Sequence, residues 1–205
     1  GNHAPVHLGI PGRHNVMNAL AAATVAMRYG MAPETVARIL ASQHTISPHR
    51  MALSTVNREG TSFTLIDDSF NANPDSMKAG LNGLKAWNSN DGKEPFRVAL
   101  LGAMLELGAD ETALHTSIGT YADELGIDAI IAVGSAQDQH LDALAQALAD
   151  GARQSQSASV DCVHDIDAAE QLVIDLARNH PDAVVLLKGS HASGLSALAE
   201  RWAKN

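Results

Sequence analysis

Aromatic side chains are scarce in this 205-residue chain, with three Phe, two Tyr and two Trp making up 3% of it. Any core must therefore be built from Ala, Leu, Val and Ile, which suits helices packed on a sheet. Cysteine is nearly absent. Cys162 stands alone in the run Ser159-Val160-Asp161-Cys162-Val163, so a disulfide framework and a C-x-x-C metal or redox motif are both excluded, and a reducing, cytoplasmic setting is expected. No stretch approaches the roughly 18 unbroken apolar residues of a membrane span, and no signal-peptide pattern opens the chain. Basic residues are outnumbered, 14 against 23, for a net charge of −9, which argues against nucleic acid and against an acidic membrane surface as partners. A small-molecule ligand fits better. Also missing are G-x-x-x-x-G-K-[ST], G-x-G-x-x-G and a nucleophile elbow, so neither a phosphate loop, a dinucleotide fingerprint nor a covalent hydrolase is supported. Gly1-Asn2-His3 begins without an initiator Met, and a piece of a longer protein is expected.

What is present is a periodic chain. Val6, Leu8 and Ile10 alternate up to Pro11-Gly12 and read as a short strand remnant over residues 3 to 11. Val16, Ala19, Leu20, Ala23 and Met27 then recur at spacings of three and four, a helix stopped at Gly30, and Pro33 opens a second helix reaching about Ser42. The polar stretch 43–50 reads as a linker and domain boundary. Beyond it, Met51–Val56 and Ser62–Asp67 flank Arg58-Glu59-Gly60 as a hairpin. Helices at 74–87, 110–125, 136–149, 166–179 and 193–203 alternate with strands at 96–102, 128–133, 159–163 and 183–188. This is an α/β pattern. It predicts a mostly parallel six-stranded sheet with helices on both faces and its first strand antiparallel at an edge, preceded by a short, mainly helical piece.

The stretch Asp67-Asp68-Ser69-Phe70-Asn71-Ala72-Asn73-Pro74-Asp75-Ser76-Met77 carries the most chemistry. Two carboxylates end a buried strand and Asn73-Pro74 caps the next helix, the strand–loop–helix arrangement in which open α/β sheets hold ligands. Turn formation alone also accounts for these residues. Asn15 and Asn18, three apart at a helix start, offer amide donors and acceptors on one face, or act as a cap and a solvated residue. Arg50 puts a guanidinium at the linker. Leu101-Gly102-Ala103-Met104-Leu105-Glu106-Leu107-Gly108 ends one strand and Lys188-Gly189-Ser190-His191 ends the last, where Lys188 would neutralise a ligand carboxylate or phosphate and Ser190 would donate a hydrogen bond. His115, His140, His164 and His180 have no ligand spacing and read as surface or helix-end residues rather than metal ligands.

Together, in this order and at these distances, Gly12-Arg13-His14-Asn15-x-x-Asn18-Ala19, Pro48-His49-Arg50, the 67–77 stretch, Leu101-Gly102-x-Met104-x-Glu106-Leu107-Gly108 and Lys188-Gly189-Ser190 resemble the Mur ligase family over essentially the whole chain. The resemblance implies an ATP-dependent amide ligase of peptidoglycan synthesis, serving cell-wall biogenesis, cell shape and division. Its branch that joins D-alanyl-D-alanine to a UDP-N-acetylmuramoyl-tripeptide through an acyl phosphate fits best. It further implies that residues 1–49 are the tail of a central ATPase domain and 50–205 a Rossmann-like carboxyl-terminal domain, in a cytoplasmic monomer. ATP and Mg2+ are the implied cofactors, with the magnesium ligands outside these residues. Asn15 and Asn18 match family asparagines near the adenine, Arg50 and Asp68 match residues that hold the nucleotide, and Asn71, Asn73, Lys188 and Ser190 match loops facing the dipeptide. Ala103 stands where Asp is usual and His191 where Arg is usual. Without a phosphate loop, this chain alone is not expected to form the acyl phosphate. A ligase of the same superfamily adding diaminopimelate or lysine, or a folylpolyglutamate synthase, is the alternative, as is, more remotely, a receiver-like signalling domain.

Overall fold

The computed structural model describes all residues except 1–3, 10–12, 44–48, 89–93, 155–157 and 205, and leaves the side chains of residues 13 and 14 undescribed. The chain divides into two compact units, Gly1–Arg50 and Met51–Asn205.

The first unit is a helix pair, α1 (Arg13–Arg28) and α2 (Pro33–Ala41). Gly30 adopts φ +89 at the turn between them, a backbone state that a side chain would strain. Pro33 occupies the first position of α2, where its missing N–H costs nothing. An apolar groove lined by Val16, Leu20, Ala23, Met27, Val36 and Leu40 runs along the pair. The strand expected over residues 3–11 is not formed at residues 4–9, which are irregular, while Ile10, Pro11 and Gly12 lie outside the described residues. Alternation marks only which side chains share a face; a strand also needs a neighbour to receive its backbone hydrogen bonds. Residues 44–48 of the expected linker are likewise outside the described residues.

The second unit opens with the hairpin β1 (Ala52–Arg58) and β2 (Thr61–Asp68), in register from Ala52↔Asp67 to Arg58↔Thr61. Both residues of its two-residue turn have positive φ, Glu59 at 44 and Gly60 at 78, the handedness that matches strand twist. There follow α3 (Pro74–Ala86), β3 (Arg97–Gly102), α4 (Glu111–Glu124), β4 (Ala129–Val133), α5 (Gln139–Ala152), β5 (Ser159–Val163), α6 (Ile166–Asn179), β6 (Val184–Lys188) and α7 (Leu195–Ala203). The six strands lie in the order β1-β2-β6-β3-β4-β5, all parallel except β1 at one edge. This is the expected α/β sheet.

Two apolar layers sandwich it. Ile66, Ala99, Leu101, Ile130 and Leu186 face α3, α4 and α5, whereas Leu65, Leu100, Ile131, Val185 and Leu187 face α6 and α7. The period of two therefore fixes which helix layer meets each residue at a strand end. β6 is buried at every position, as a central parallel strand covered on both faces must be.

Two close approaches tighten the α3–α5 layer. Gly119 on α4 and Gly151 on α5 let the two helix backbones touch: a Cβ on Gly119 would overlap the Leu148 carbonyl oxygen, and one on Gly151 the Thr116 carbonyl oxygen. Arg97, 3% exposed, turns its guanidinium onto the Leu84 and Trp87 carbonyls at the end of α3, satisfying acceptors that the helix leaves open.

Candidate functional site

The carboxyl ends of β2, β3 and β6 lie side by side, because β6 sits between the other two and registers Asp68↔Lys188 and Leu101↔Lys188. Three loops converge there. Asp68 continues the face of Ile66 and Lys188 that of Leu186, so both side chains point into the layer beneath α3. Lys188 is 2% exposed, and its Nζ lies 2.9 Å from Asp68 Oδ2 while donating to the Asn71 carbonyl at 2.6 Å and the Asp68 carbonyl at 3.4 Å. All three ammonium donors are thus engaged within the protein. The position of Lys188 on β6 turns its ammonium inward, onto Asp68. Gly80 makes room for the pair, since a Cβ there would stand 3.3 Å from Lys188 Cδ and 3.7 Å from Asp68 Oδ2.

Asp67 points to the opposite face and organises the loop locally. Its Oδ1 accepts from the Ser69 hydroxyl at 2.6 Å and the Ser69 N–H at 3.2 Å, the turn chemistry expected of Asp. Asn73 caps α3: its Oδ1 accepts from the Ser76 N–H at 2.8 Å, and Ser76 Oγ accepts from the Asn73 N–H at 3.0 Å, with Pro74 as the first helical residue. The cap fixes where the chain leaves the sheet. Between these anchors Phe70 and Asn71 are exposed, and Asn71 Oδ1 accepts from the Ala72 N–H.

Two neighbouring loops complete the rim. Ser190 donates its N–H to the Ala103 carbonyl at 2.9 Å, joining the loop after β6 to that after β3. Its side-chain hydroxyl is buried and has no hydrogen-bond partner among the described residues, an unmet polar group of the kind a ligand satisfies. Gly102 and Gly189 are packed against Ser193, whose Cβ a side chain on Gly102 would overlap. His191, exposed, approaches the Ser196 hydroxyl through Nδ1 at 3.3 Å, and Ser196 Oγ in turn donates to the Ser69 carbonyl at 2.8 Å. Because the serine proton is committed to that carbonyl, the imidazole donates from Nδ1.

The third loop conceals a residue that spacing did not reveal. His115 is fully buried rather than on the surface, which corrects the sequence reading. Its Nε2 accepts from the Met104 N–H at 2.8 Å and its Nδ1 contacts the Glu111 carbonyl at 2.7 Å. The neutral imidazole satisfies both, and burial holds its pKa below the usual histidine range. In the loop it anchors, Glu106 takes a left-handed φ of 62 and is exposed.

Asn15, Asn18 and Arg50 belong to the first unit. Asn15 is 7% exposed, whereas Asn18 and Arg50 are exposed. The structure thus brings Asp68, Asn71 and Lys188 into contact and sets Asn73 and Ser190 on the same loop cluster. Among the described residues no group of three His, Cys, Asp or Glu side chains is arranged to hold a metal ion, and no helix is long and apolar enough to cross a membrane.

Residues 49–191 match the family described as Mur ligase, glutamate ligase domain. The UDP-N-acetylmuramoyl-tripeptide–D-alanyl-D-alanine ligase of Mycobacterium tuberculosis is 40% identical over 205 aligned residues, spanning 96% of this chain and 39% of the relative. A crystal structure of MurF from Acinetobacter baumannii superposes with a TM-score of 0.76 at 27% identity, over 98% of this chain and 40% of that one. The MurF ligase of Thermotoga maritima, solved in complex with ADP, shares the fold with a TM-score of 0.64 at 22% identity, over 95% of this chain and 40% of that one. The chain thus spans about two fifths of the length of the relatives it matches.

Proposed function

The chain belongs to the Mur ligase family, and on that premise we propose that it forms part of an ATP-dependent ligase that joins D-alanyl-D-alanine to a UDP-N-acetylmuramoyl-tripeptide in peptidoglycan synthesis. The observation that carries this reading is the 40% identity, over nearly the whole chain, to a ligase of that name. Residues 1–49 are the tail of a central ATPase domain and 50–205 the carboxyl-terminal domain. The substrates, ATP and a UDP-linked peptide, belong to the cytoplasm, and the ligase acts there as a monomer.

The site chemistry supports distinct roles. Asp68 spends one lone pair of each carboxylate oxygen on Lys188 and on the Met51 N–H, 3.3 Å from Oδ1, and keeps others to accept ribose hydroxyls, so the carboxylate fits a nucleotide. Asn15 and Asn18 are assigned to the adenine and Arg50 to the nucleotide's anionic part. ATP supplies the phosphoryl group that activates the peptide carboxylate. The exposed Asn71, the amide nitrogen of the capping Asn73 and the buried Ser190 hydroxyl are assigned to the incoming dipeptide. Lys188 serves that site from beneath. The magnesium ligands are assigned to parts of the ligase beyond these residues.

The test varies the amine. In the complete ligase carrying this sequence, ADP release with ATP and UDP-N-acetylmuramoyl-tripeptide is expected to depend on D-alanyl-D-alanine and to be negligible with free diaminopimelate, lysine or glutamate. Turnover driven by one of those amino acids instead would overturn the reading. The 205-residue chain alone, which contains no phosphate loop, is expected to release no ADP.

A further inference from the structure

We propose that Lys188 is a positioning residue that couples the nucleotide side of the ligase site to its dipeptide side. This rests on the functional reading above, which gives Asp68 to the nucleotide and the loop of residues 71–73 to the dipeptide. The geometry supplies the link. One ammonium, 2% exposed, holds the Asp68 carboxylate at 2.9 Å and the Asn71 carbonyl at 2.6 Å, so the two groups are pinned by the same charge. The Asn73 cap then fixes the far end of the three-residue bridge, leaving the short loop little freedom to move independently of Asp68.

The arrangement is built rather than incidental. Register sets Asp68 and Lys188 opposite one another on adjacent parallel strands, and the shared parity of their side chains sends both beneath α3. Gly80, directly above, leaves room only for the lysine stem. A charge this deeply buried is costly to desolvate and is retained where its partners offset that cost. Here both partners belong to the ligand loop, so any shift of Asp68 on nucleotide binding is felt at the Asn71 carbonyl, and the reverse holds for the dipeptide.

The test uses the complete ligase with Lys188→Met, Asp68→Asn and the double variant, measuring KM for ATP and for D-alanyl-D-alanine separately, alongside kcat and thermal melting. Lys188→Met is expected to raise both KM values by about tenfold or more, the scale of misplaced binding groups. Its effect on the KM for ATP is expected to be nearly lost when Asp68 is already Asn. A rise in the dipeptide KM alone would make Lys188 a direct substrate ligand, and a lower melting temperature with both KM values unchanged would make it merely structural; either result overturns the proposal. Should Lys188→Met fail to fold, Gly80→Ala keeps both charges while pressing on Lys188 Cδ, and is expected to raise both KM values together, by about threefold on the same reasoning; no change in either would equally defeat the proposal. Asp68→Asn separates the two levels: if it leaves the KM for ATP unchanged, the nucleotide role of Asp68 fails, whereas an unchanged KM in Lys188→Met despite a raised one in Asp68→Asn defeats the coupling alone.

Discussion

Replacing Asp68 by Ala is expected to destabilise the protein as well as impair the proposed ligase activity. The carboxylate is 16% exposed and faces an ammonium that is 2% exposed, so its removal strands a buried charge. Removing one partner of a buried ion pair costs about 3–5 kcal/mol, and the partial exposure of Asp68 places this case near the lower end, about 3 kcal/mol. For a chain of this size each kcal/mol lowers the melting temperature by about 2–4 °C, which gives a drop of about 6–12 °C. Circular dichroism melting of the 205-residue chain at neutral pH reads it directly. Pairing Asp68→Ala with Lys188→Met removes the stranded ammonium, and the double variant is expected to regain more than half of the loss. An Asp68→Ala melt within about 1 °C of the parent, or losses that simply add in the double variant, would refute the buried-pair account. Activity lost in Asp68→Ala therefore mixes fold and chemistry, and Asp68→Asn, which keeps an acceptor for Lys188, is the cleaner probe of the proposed nucleotide role.

Two further outcomes follow from the packing. Gly119→Ala would raise stability by about 1 kcal/mol in an exposed helix, but here the added Cβ meets the α5 backbone, including Ala152 N at 2.8 Å, and overpacking of about 1–3 kcal/mol or more outweighs that gain; the urea midpoint is expected to fall, and a rise would show that α4 and α5 do not touch at that point. Burial holds His115 neutral, so below about pH 6.5 the unfolded chain takes up a proton that the folded one refuses, and stability falls as pH drops from there until the lowered folded pKa is passed. Thermal melts between about pH 7 and pH 5 are expected to fall less steeply for His115→Gln than for the parent; parallel slopes would remove His115 from the acid response.

The second unit was legible because its signals are local. Alternating apolar strands, the Glu59-Gly60 turn and the Asn73-Pro74 cap each declare themselves within a few residues, and each forms as expected. α5 shows where local signals mislead: expected over 136–149, it begins at Gln139, because Asp138 caps it through the His140 and Leu141 N–H groups, and it runs on through Gly151 to Ala152, because that glycine serves the contact with α4 rather than stopping the helix. His115 misleads for a related reason, and the internal partners of Lys188 are hidden in the same way. Both are polar and look destined for ligand or solvent, yet their surroundings come from residues distant in sequence, 120 positions away for the Lys188–Asp68 pair. Arg97 gave no signal at all, since its partners are carbonyls at the end of a helix from another part of the chain.

The place of β6 carries a consequence for how the protein comes into being. During synthesis β1 and β2, and then β3, β4 and β5, leave the ribosome before β6, and in the sheet these two groups share no backbone hydrogen bonds. Only when residues 184–188 leave the ribosome does a strand exist that bonds to both, closing contacts such as Thr64 with Val184 across 120 residues. The loop cluster at the carboxyl ends of β2, β3 and β6 therefore cannot be complete before β6 is made, and a chain halted just short of it would leave β2 and β3 without the neighbour that pairs with both.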